Sequence, residues 1–358
     1  MPEPTTRPRR ARAVLAVVAG MGVLAACSGG HTSTAPKSTA GQATVIARLS
    51  GSTPVGKAVT TAPFTPGLLS MSSGSDGSLL MAVPGWVARL GPKGDLTPAA
   101  TGSKATSPSG VVGLPDGSFV TGAGDQLMRI MPGQQPAPIA GARGAARSLA
   151  TAPPSGGTAS AVHFTRYLTP VGPVADGSLI LADGDAAWRM RAGKLTRIYR
   201  GSLLGHSYAV TPDGTLYLVP EGSEAALRDT VVITPSGTAK RLKLPASVPG
   251  VSGDPGTLTP LSESSDGKNG LYVHAIRRGG LGTLSSAIGD YVLHLHGGTA
   301  DLTVSSAAPG PARNCTPTGS APALKFPCPL PQAVTSQPGL LVLAGGTTYA
   351  VGVHMPKA

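Results

Sequence analysis

Side chains able to do chemistry are few and scattered in this 358-residue sequence. His294 and His296 lie two positions apart, and on a strand both imidazoles project from one face, as the start of a transition-metal site would require. No third ligand stands at a matching spacing, so the pair reads as a strand edge and no metal is assigned. Asp183 and Asp185 present two carboxylates, whereas a hard cation needs several oxygen ligands, and the pair reads as a polar hairpin loop. Gly205-His206-Ser207-Tyr208-Ala209 has the outline of a nucleophile elbow. Its last position is alanine and no helix pattern follows, so it reads as a strand. No glycine-rich loop precedes a helix to cradle phosphate, and neither a catalytic residue nor a cofactor is expected. Recognition chemistry remains. Arg277-Arg278, in a glycine-rich setting, suits a phosphate or carboxylate ligand. Trp86 and Trp188 each stand near the start of a strand, placed for packing or for stacking on a ligand.

The elements that position these residues follow from an internal repeat. Asp-Gly-[Ser/Thr] and an apolar run occur at Asp76, Asp116, Asp176 and Asp213, with a degenerate copy at Asp266-Gly267 and a sixth apolar run at Leu340-Leu341-Val342-Leu343. Asp and Gly both accept positive φ, so each copy predicts a tight hairpin. The second copy shows the whole unit: Gly110-Val111-Val112, Ser118 to Thr121, Leu127 to Met131, and Pro138-Ile139-Ala140. The strand after Asp-Gly is apolar at consecutive positions, as in Leu79-Leu80-Met81-Ala82-Val83, so both faces of its sheet must be covered. Four-stranded sheets stacked around an axis satisfy this. The expected fold is all-β, a six-bladed β-propeller over residues 43–358. The last copy offers a second strand at Gly339 to Ala344 and a third at Thr347 to His354, but no fourth. Ala43 to Leu49 has the pattern of other fourth strands, such as Leu195 to Tyr199, and is expected to close the last blade.

The chain resembles the NHL-type six-bladed propellers, whose repeat reads roughly Pro-x-Gly-apolar, Asp-Gly, an apolar strand, Asp-x-x-x-Arg-Ile and Pro-x-Gly. The second copy matches with Pro108, Gly110, Val111, Asp116-Gly117, Asp125, Arg129-Ile130 and Pro132-Gly133. The first keeps Pro66-Gly67-Leu68, Asp76-Gly77 and Pro92-Lys93-Gly94, and the third retains Asp185 and Arg189. The resemblance covers residues 43 to 358 and implies architecture, since propellers host many functions. Propellers of this kind also include sugar-lactone hydrolases with a divalent ion in the central channel.

Arg7, Arg9, Arg10 and Arg12 precede an apolar stretch from Ala13 to Ala26, too short to span a bilayer, and Leu24-Ala25-Ala26-Cys27 ends it. This is similar to a bacterial lipoprotein signal, which implies a signal peptide over 1–26, lipidation of Cys27 (palmitate being one acyl group) and a flexible tether over 27–42 rich in Ser, Thr, Gly and Pro. The expected location is exported, on the outer, extracellular face of the cytoplasmic membrane. Usage of Ala, Gly, Pro and Arg resembles that of high-GC bacteria such as actinobacteria. Arg9-Arg10 leaves export by the Sec or the twin-arginine route open. Losing residues 1–26 removes four arginines and one glutamate, taking the net charge from +12 to +9. With Cys27 committed to lipid, Cys315 and Cys328 are expected to pair as a disulfide in an oxidising compartment, without CxxC or histidine partners to favour a metal.

In such a ring, first-to-second and third-to-fourth turns share one face, and the other connections share the opposite one. The long insertions, Gly141 to Ala161, Glu221 to Asp229, Pro245 to Gly256, His274 to Gly289 and Ser305 to Gln332, all belong to the second set. They carry Arg143, Arg147, His163, Arg166, Arg228, Arg277, Arg278, Arg313 and Lys325, so a basic binding face is expected. The leading expectation is a binding or scaffolding module for an anionic envelope polymer, a lipid head group or a protein partner. A metal-dependent lactone-type hydrolase using the channel is the alternative. Nucleic acid is not expected as a partner, because basic and aromatic residues do not interleave.

Overall fold

The computed structural model describes residues 41–48, 70–83, 86–91, 96–100, 108–132, 134–149, 153, 155–279, 287–309, 315, 320–344 and 349–355. The expected signal segment, Cys27, most of the tether and Arg313 lie outside them. Six antiparallel sheets follow one another as blades. Blade one comprises Ser70–Ser73, Leu79–Val83, Trp86–Leu90 and Leu96–Ala100; blade two comprises Pro108–Gly113, Phe119–Ala123, Gln126–Ile130 and Ala137–Ala140. Blade three comprises Leu168–Pro173, Leu179–Asp183, Ala186–Arg191 and Lys194–Arg200; blade four, His206–Val210, Leu216–Pro220, Val231–Ile233 and Ala239–Arg241. Blade five comprises Thr259–Ser265, Leu271–Arg278, Ala287–His296 and Thr299–Ser305. Blade six is Ala333–Gln337, Leu340–Ala344 and Tyr349–His354, completed by Gln42–Arg48 and then Ser320–Pro322.

Each blade packs on both neighbours because its second strand is apolar on both sides. Leu179 and Leu181 join Val120, Leu127 and Trp188 in a core shared with blade two, while Ile180 and Ala182 join Val210, Leu216 and Leu218 in a core shared with blade four. Blade one divides its second strand the same way, Leu79 and Met81 facing blade six and Leu80 and Ala82 facing blade two. Side-chain alternation thus turns a continuous apolar run into two half-cores. Each fully buried leucine or isoleucine contributes about 1.5–3 kcal/mol.

The Asp-Gly turns are tight hairpins, as expected, but only the glycine takes positive φ. Leu114 accepts from Gly117 N at 3.1 Å and donates to Ser118 O at 2.8 Å. Gly117 alone takes positive φ, at 83°. This is a three-residue loop with a glycine bulge. Asp116 serves through its carboxylate, which accepts from Ser118 N at 3.0 Å and Ser118 Oγ at 2.5 Å. Asp176 and Ser178 repeat the arrangement. Arg129 braces the turn from the third strand, bonding Ser118 Oγ at 2.9 Å and pairing with Asp116, as Arg89 pairs with Asp76. In blades one and two the arginine of the repeat therefore partners the Asp-Gly aspartate, whereas in blade three Arg191 stands 3.9 Å from Asp176.

The N-terminal strand closes the ring as expected, starting one residue earlier, at Gln42. It runs antiparallel to the last strand with Ala43 opposite Val353 and Val45 opposite Val351. Ser320–Pro322 adds a fifth strand outside it, with Ala43 opposite Ala321. That outer strand belongs to the insertion tied by the Cys315–Cys328 disulfide, whose Cα atoms are 5.7 Å apart. Cys328 and Phe326 are buried against Ala43 and Val351 in one cluster. The first insertion also covers an edge. Thr158 bridges Lys194, and Gly156 N donates to Leu195 O at 2.7 Å, so part of 141–161 lies along the outer strand of blade three. The expected insertion from His274 to Gly289 is largely a longer hairpin, since its strands run to Arg278 and resume at Ala287.

Candidate functional site

First strands crowd around the axis, and their composition reflects it. A Cβ on Gly113 would stand 2.2 Å from Ser73 O, and one on Gly172 would stand 2.5 Å from a Val210 methyl. Serines stitch neighbouring blades there. Ser70 Oγ accepts from Val111 N at 2.9 Å, Ser72 Oγ from Gly113 N at 3.0 Å, and Ser264 Oγ from Ser336 N at 3.1 Å. Ser262 Oγ donates to Gln332 O at 2.6 Å.

Above this ring lies a cavity of about 610 Å³ lined from all six first strands, among them Ser70, Gly110, Pro170, Ser207, Glu263 and Val334. Its rim carries Arg166, Tyr167, Leu204, His206 and Glu221. Ser207 Oγ donates to Glu263 Oε2 at 2.7 Å, joining blades four and five. Burial pushes the Glu263 carboxyl up to about 7; the Ser207 hydroxyl opposes the shift and the charge of Glu221 adds to it. Tyr208, which donates to Leu203 O at 2.7 Å, is held above the usual phenol range by burial and then by Glu221 and Glu263. The site can accept hydrogen bonds, exchange a proton near neutrality and enclose an apolar body.

Most residues singled out from the sequence have structural roles. Arg277 and Arg278 end a strand instead of occupying a loop. Arg277 donates to Asp254 O at 2.9 Å and Thr257 Oγ1 at 3.1 Å, and Arg278 donates to Thr259 Oγ1 at 3.3 Å, so the expected anion-binding pair fastens the loop before blade five. Trp188 is fully buried in the core between blades two and three, which corrects the stacking role; Arg197 lies 5.8 Å from its ring centroid. Trp86 opens its strand, and its side chain lies outside the described residues.

Asp183 and Asp185 stand at the hairpin turn between the second and third strands of blade three, as expected, and hold a cation there. Both bind Arg147, at 2.5 and 2.6 Å, and Asp183 Oδ1 also accepts from Thr165 N at 2.8 Å and Thr165 Oγ1 at 2.6 Å. Arg147 itself is counted by this clamp out of the expected basic face. Arg228 sits 3.9 Å from Asp254, and Arg166 donates to Tyr167 Oη at 3.1 Å. His294 and His296 do share one face, with ring centroids 4.5 Å apart. Each has its own carboxylate, Asp266 at 2.9 Å and Asp301 at 2.7 Å, and no group of three His, Cys, Asp or Glu fit to hold a metal occurs among the described residues. The nucleophile-like pentapeptide is the first strand of blade four and places Ser207 in the cavity. Glu263 was not singled out. Its signal was its place in the strand before an Asp-Gly turn, which is the axial strand of every blade.

No protein-family model and no curated protein matches the chain in sequence. Solved structures do. A protein of unknown function from Bacteroides thetaiotaomicron is similar over 87% of this chain and 76% of its own, with TM-score 0.58 and 13% identity. An auxiliary nutrient binding protein from the same organism is similar over 87% and 75%, with TM-score 0.52 and 8% identity. A gluconolactonase-family protein is similar over 88% and 92%, with TM-score 0.50 and 13% identity. At these identities the likeness is one of fold, and by fold this chain is a six-bladed β-propeller.

Proposed function

We propose that this chain is a lipid-anchored binding module, held through Cys27 at the outer face of the cytoplasmic membrane, whose ligand enters the axial cavity. The observation that carries the reading is the cavity itself, walled by all six blades, where polar groups such as Ser207 and Glu263 converge beside apolar side chains such as Met71, Val171 and Leu261. The likeness to a nutrient binding protein is compatible with it. An anionic envelope polymer, lipid or acidic partner, expected from the net charge, would have to meet side chains outside the cavity, because Arg147, Arg277 and Arg278 are engaged within the fold. The hydrolase alternative needs several oxygen ligands around one ion. The cavity lining contributes two carboxylates, Glu221 and Glu263, and binding is the better-supported reading.

The test is a photoactivatable side chain placed at Ser262, on the cavity wall, or at Lys240, on a distant blade surface, in cells. Adducts from position 262 that are missing from position 240 support the reading. Equal yields from both positions, or none from either, refute it. In the same cells Cys27→Ser should move the protein from the membrane to the soluble fraction, and continued membrane retention would remove the anchor.

A further inference from the structure

Glu263 has a hydrogen-bond donor at one oxygen and nothing charged to answer it. Ser207 occupies Oε2, and no described cation pairs with either Glu263 or Glu221. Arg166, the one arginine in the cavity lining, turns to the Tyr167 ring, 5.2 Å from its centroid, and donates to its hydroxyl, making no ion pair with Glu263. The cavity also holds partly exposed apolar side chains, Met71, Val171, Leu204 and Leu261. A carboxylate taken from water without a counter-charge is costly unless something supplies the missing cation. A hydrated metal ion would gain nothing from apolar walls. An organic cation would gain from both.

We propose that the axial cavity binds an organic cation with N–H donors, a primary ammonium or guanidinium on an apolar body, whose charged end pairs with Glu263 and whose body lies along Met71, Val171, Leu204 and Leu261. This rests on the cavity being the ligand site. A charge-assisted bond to the open Glu263 oxygen supplies the affinity. Tyr208, also in the lining, offers a ring face that attracts a cation. Glu221 adds to the negative potential at the mouth.

Binding is coupled to a proton. The groups facing Glu263 are Ser207, Tyr208, His206 and Glu221 from blade four, with Arg166 across the mouth. Blade six contributes the uncharged Gln332, whose carbonyl oxygen is held by His274 of blade five, itself paired to Asp290 at 2.7 Å. The cation takes the ionised carboxylate, so a protonated Glu263 releases its proton on binding. With a carboxyl pushed up to about 7, affinity should rise about tenfold from pH 6 to pH 8 as the ionised fraction grows.

The experiment is calorimetric titration of the full chain with n-butylammonium, and with n-butanol as the neutral counterpart of equal body. Butylammonium should bind at least about tenfold more tightly than butanol at pH 8, and Glu263→Gln should erase the difference. Titrations in two buffers of different ionisation enthalpy at pH 6.5 should show proton release from the parent and none from Glu263→Gln. Equal binding of both probes, indifference to Glu263→Gln, or displacement of butylammonium by calcium at comparable concentration overturns the proposal. Ser262→Trp separates the two levels. If butanol binds as tightly as butylammonium and this cavity-filling change blocks both, the cavity remains a ligand site and the cation fails; if neither probe responds to it, both readings fail.

Discussion

Replacing Arg147 by methionine should destabilise the propeller more than any other single surface-loop change. The guanidinium is 6% exposed, and it faces Asp183 at 0% and Asp185 at 22% exposure. Methionine keeps the length and removes the charge, leaving two carboxylates, one wholly buried, without their cation. Breaking a buried pair from one side costs about 3–5 kcal/mol, because the remaining charge is uncompensated. In a domain of this size that corresponds to a fall of about 6–10 °C in melting temperature, at about 2 °C per kcal/mol. The pH dependence tests the cause. Burial already pushes the Asp183 carboxyl up, against the lowering effects of Thr165 and Arg147. Without Arg147 it rises further. A group whose folded pKa lies above its unfolded value adds stability at low pH and loses it as pH rises, so the deficit of Arg147→Met should shrink between pH 7 and pH 5. Asp183→Asn in the same background should recover part of the loss. Calorimetric melts of the full chain at three pH values decide it. A deficit below about 1 kcal/mol, within the range of an ordinary surface pair, or one indifferent to pH, would refute the reasoning.

Three further outcomes are expected. Changing Cys315 and Cys328 together to serine should lower unfolding free energy by about 3 kcal/mol in the chain-entropy account and open residues 305–332 to proteolysis, which denaturant titration and limited digestion would show. Gly113→Ala should cost the upper part of the about 1–3 kcal/mol expected of overpacking, because the new Cβ meets backbone of blade one. Gly77→Ala, with φ of 76° and open space, should cost about 1 kcal/mol, so reversal of this order in paired melts would contradict the packing of the axial ring. Excess EDTA should leave the melting temperature unchanged, given that no described cluster offers three metal-binding side chains; a large downward shift would point to a bound ion.

Local signals were the legible ones. Asp116-Gly117 announces a hairpin because glycine supplies the left-handed residue and aspartate a carboxylate that accepts from the backbone N–H and hydroxyl of the serine two positions on. Runs such as Leu179 to Ala182 announce a doubly covered strand because both faces are dry. The closing strand was legible because the last copy lacks a fourth strand and Ala43 to Leu49 has the pattern of one. The site was not, for the reason that made the strands clear: a first strand has one side turned to the axial water. Ser70–Ser73 and Thr259–Ser265 therefore carry serine and glutamate where other strands carry leucine. Arg277-Arg278 misled because neighbouring glycines read as loop, whereas pairing across blade five extends that hairpin through Arg278.

The long insertions that suggested a binding face serve in part to protect blade edges. A blade's outermost strand presents unpaired backbone groups unless something covers them. Two of the long insertions do so, through Thr158 against Lys194 and through Ala321 against Ala43. A third stretch, at Asp254 to Thr257, is held down by Arg277. Charged residues in these segments consequently serve the fold before they serve any partner. The axial wall has no such duty beyond the serine stitches, so a carboxylate there that lacks a cation is more informative than several arginines on loops. Glu263 meets that description through its single Ser207 bond, and the proposed axial binding site rests on it.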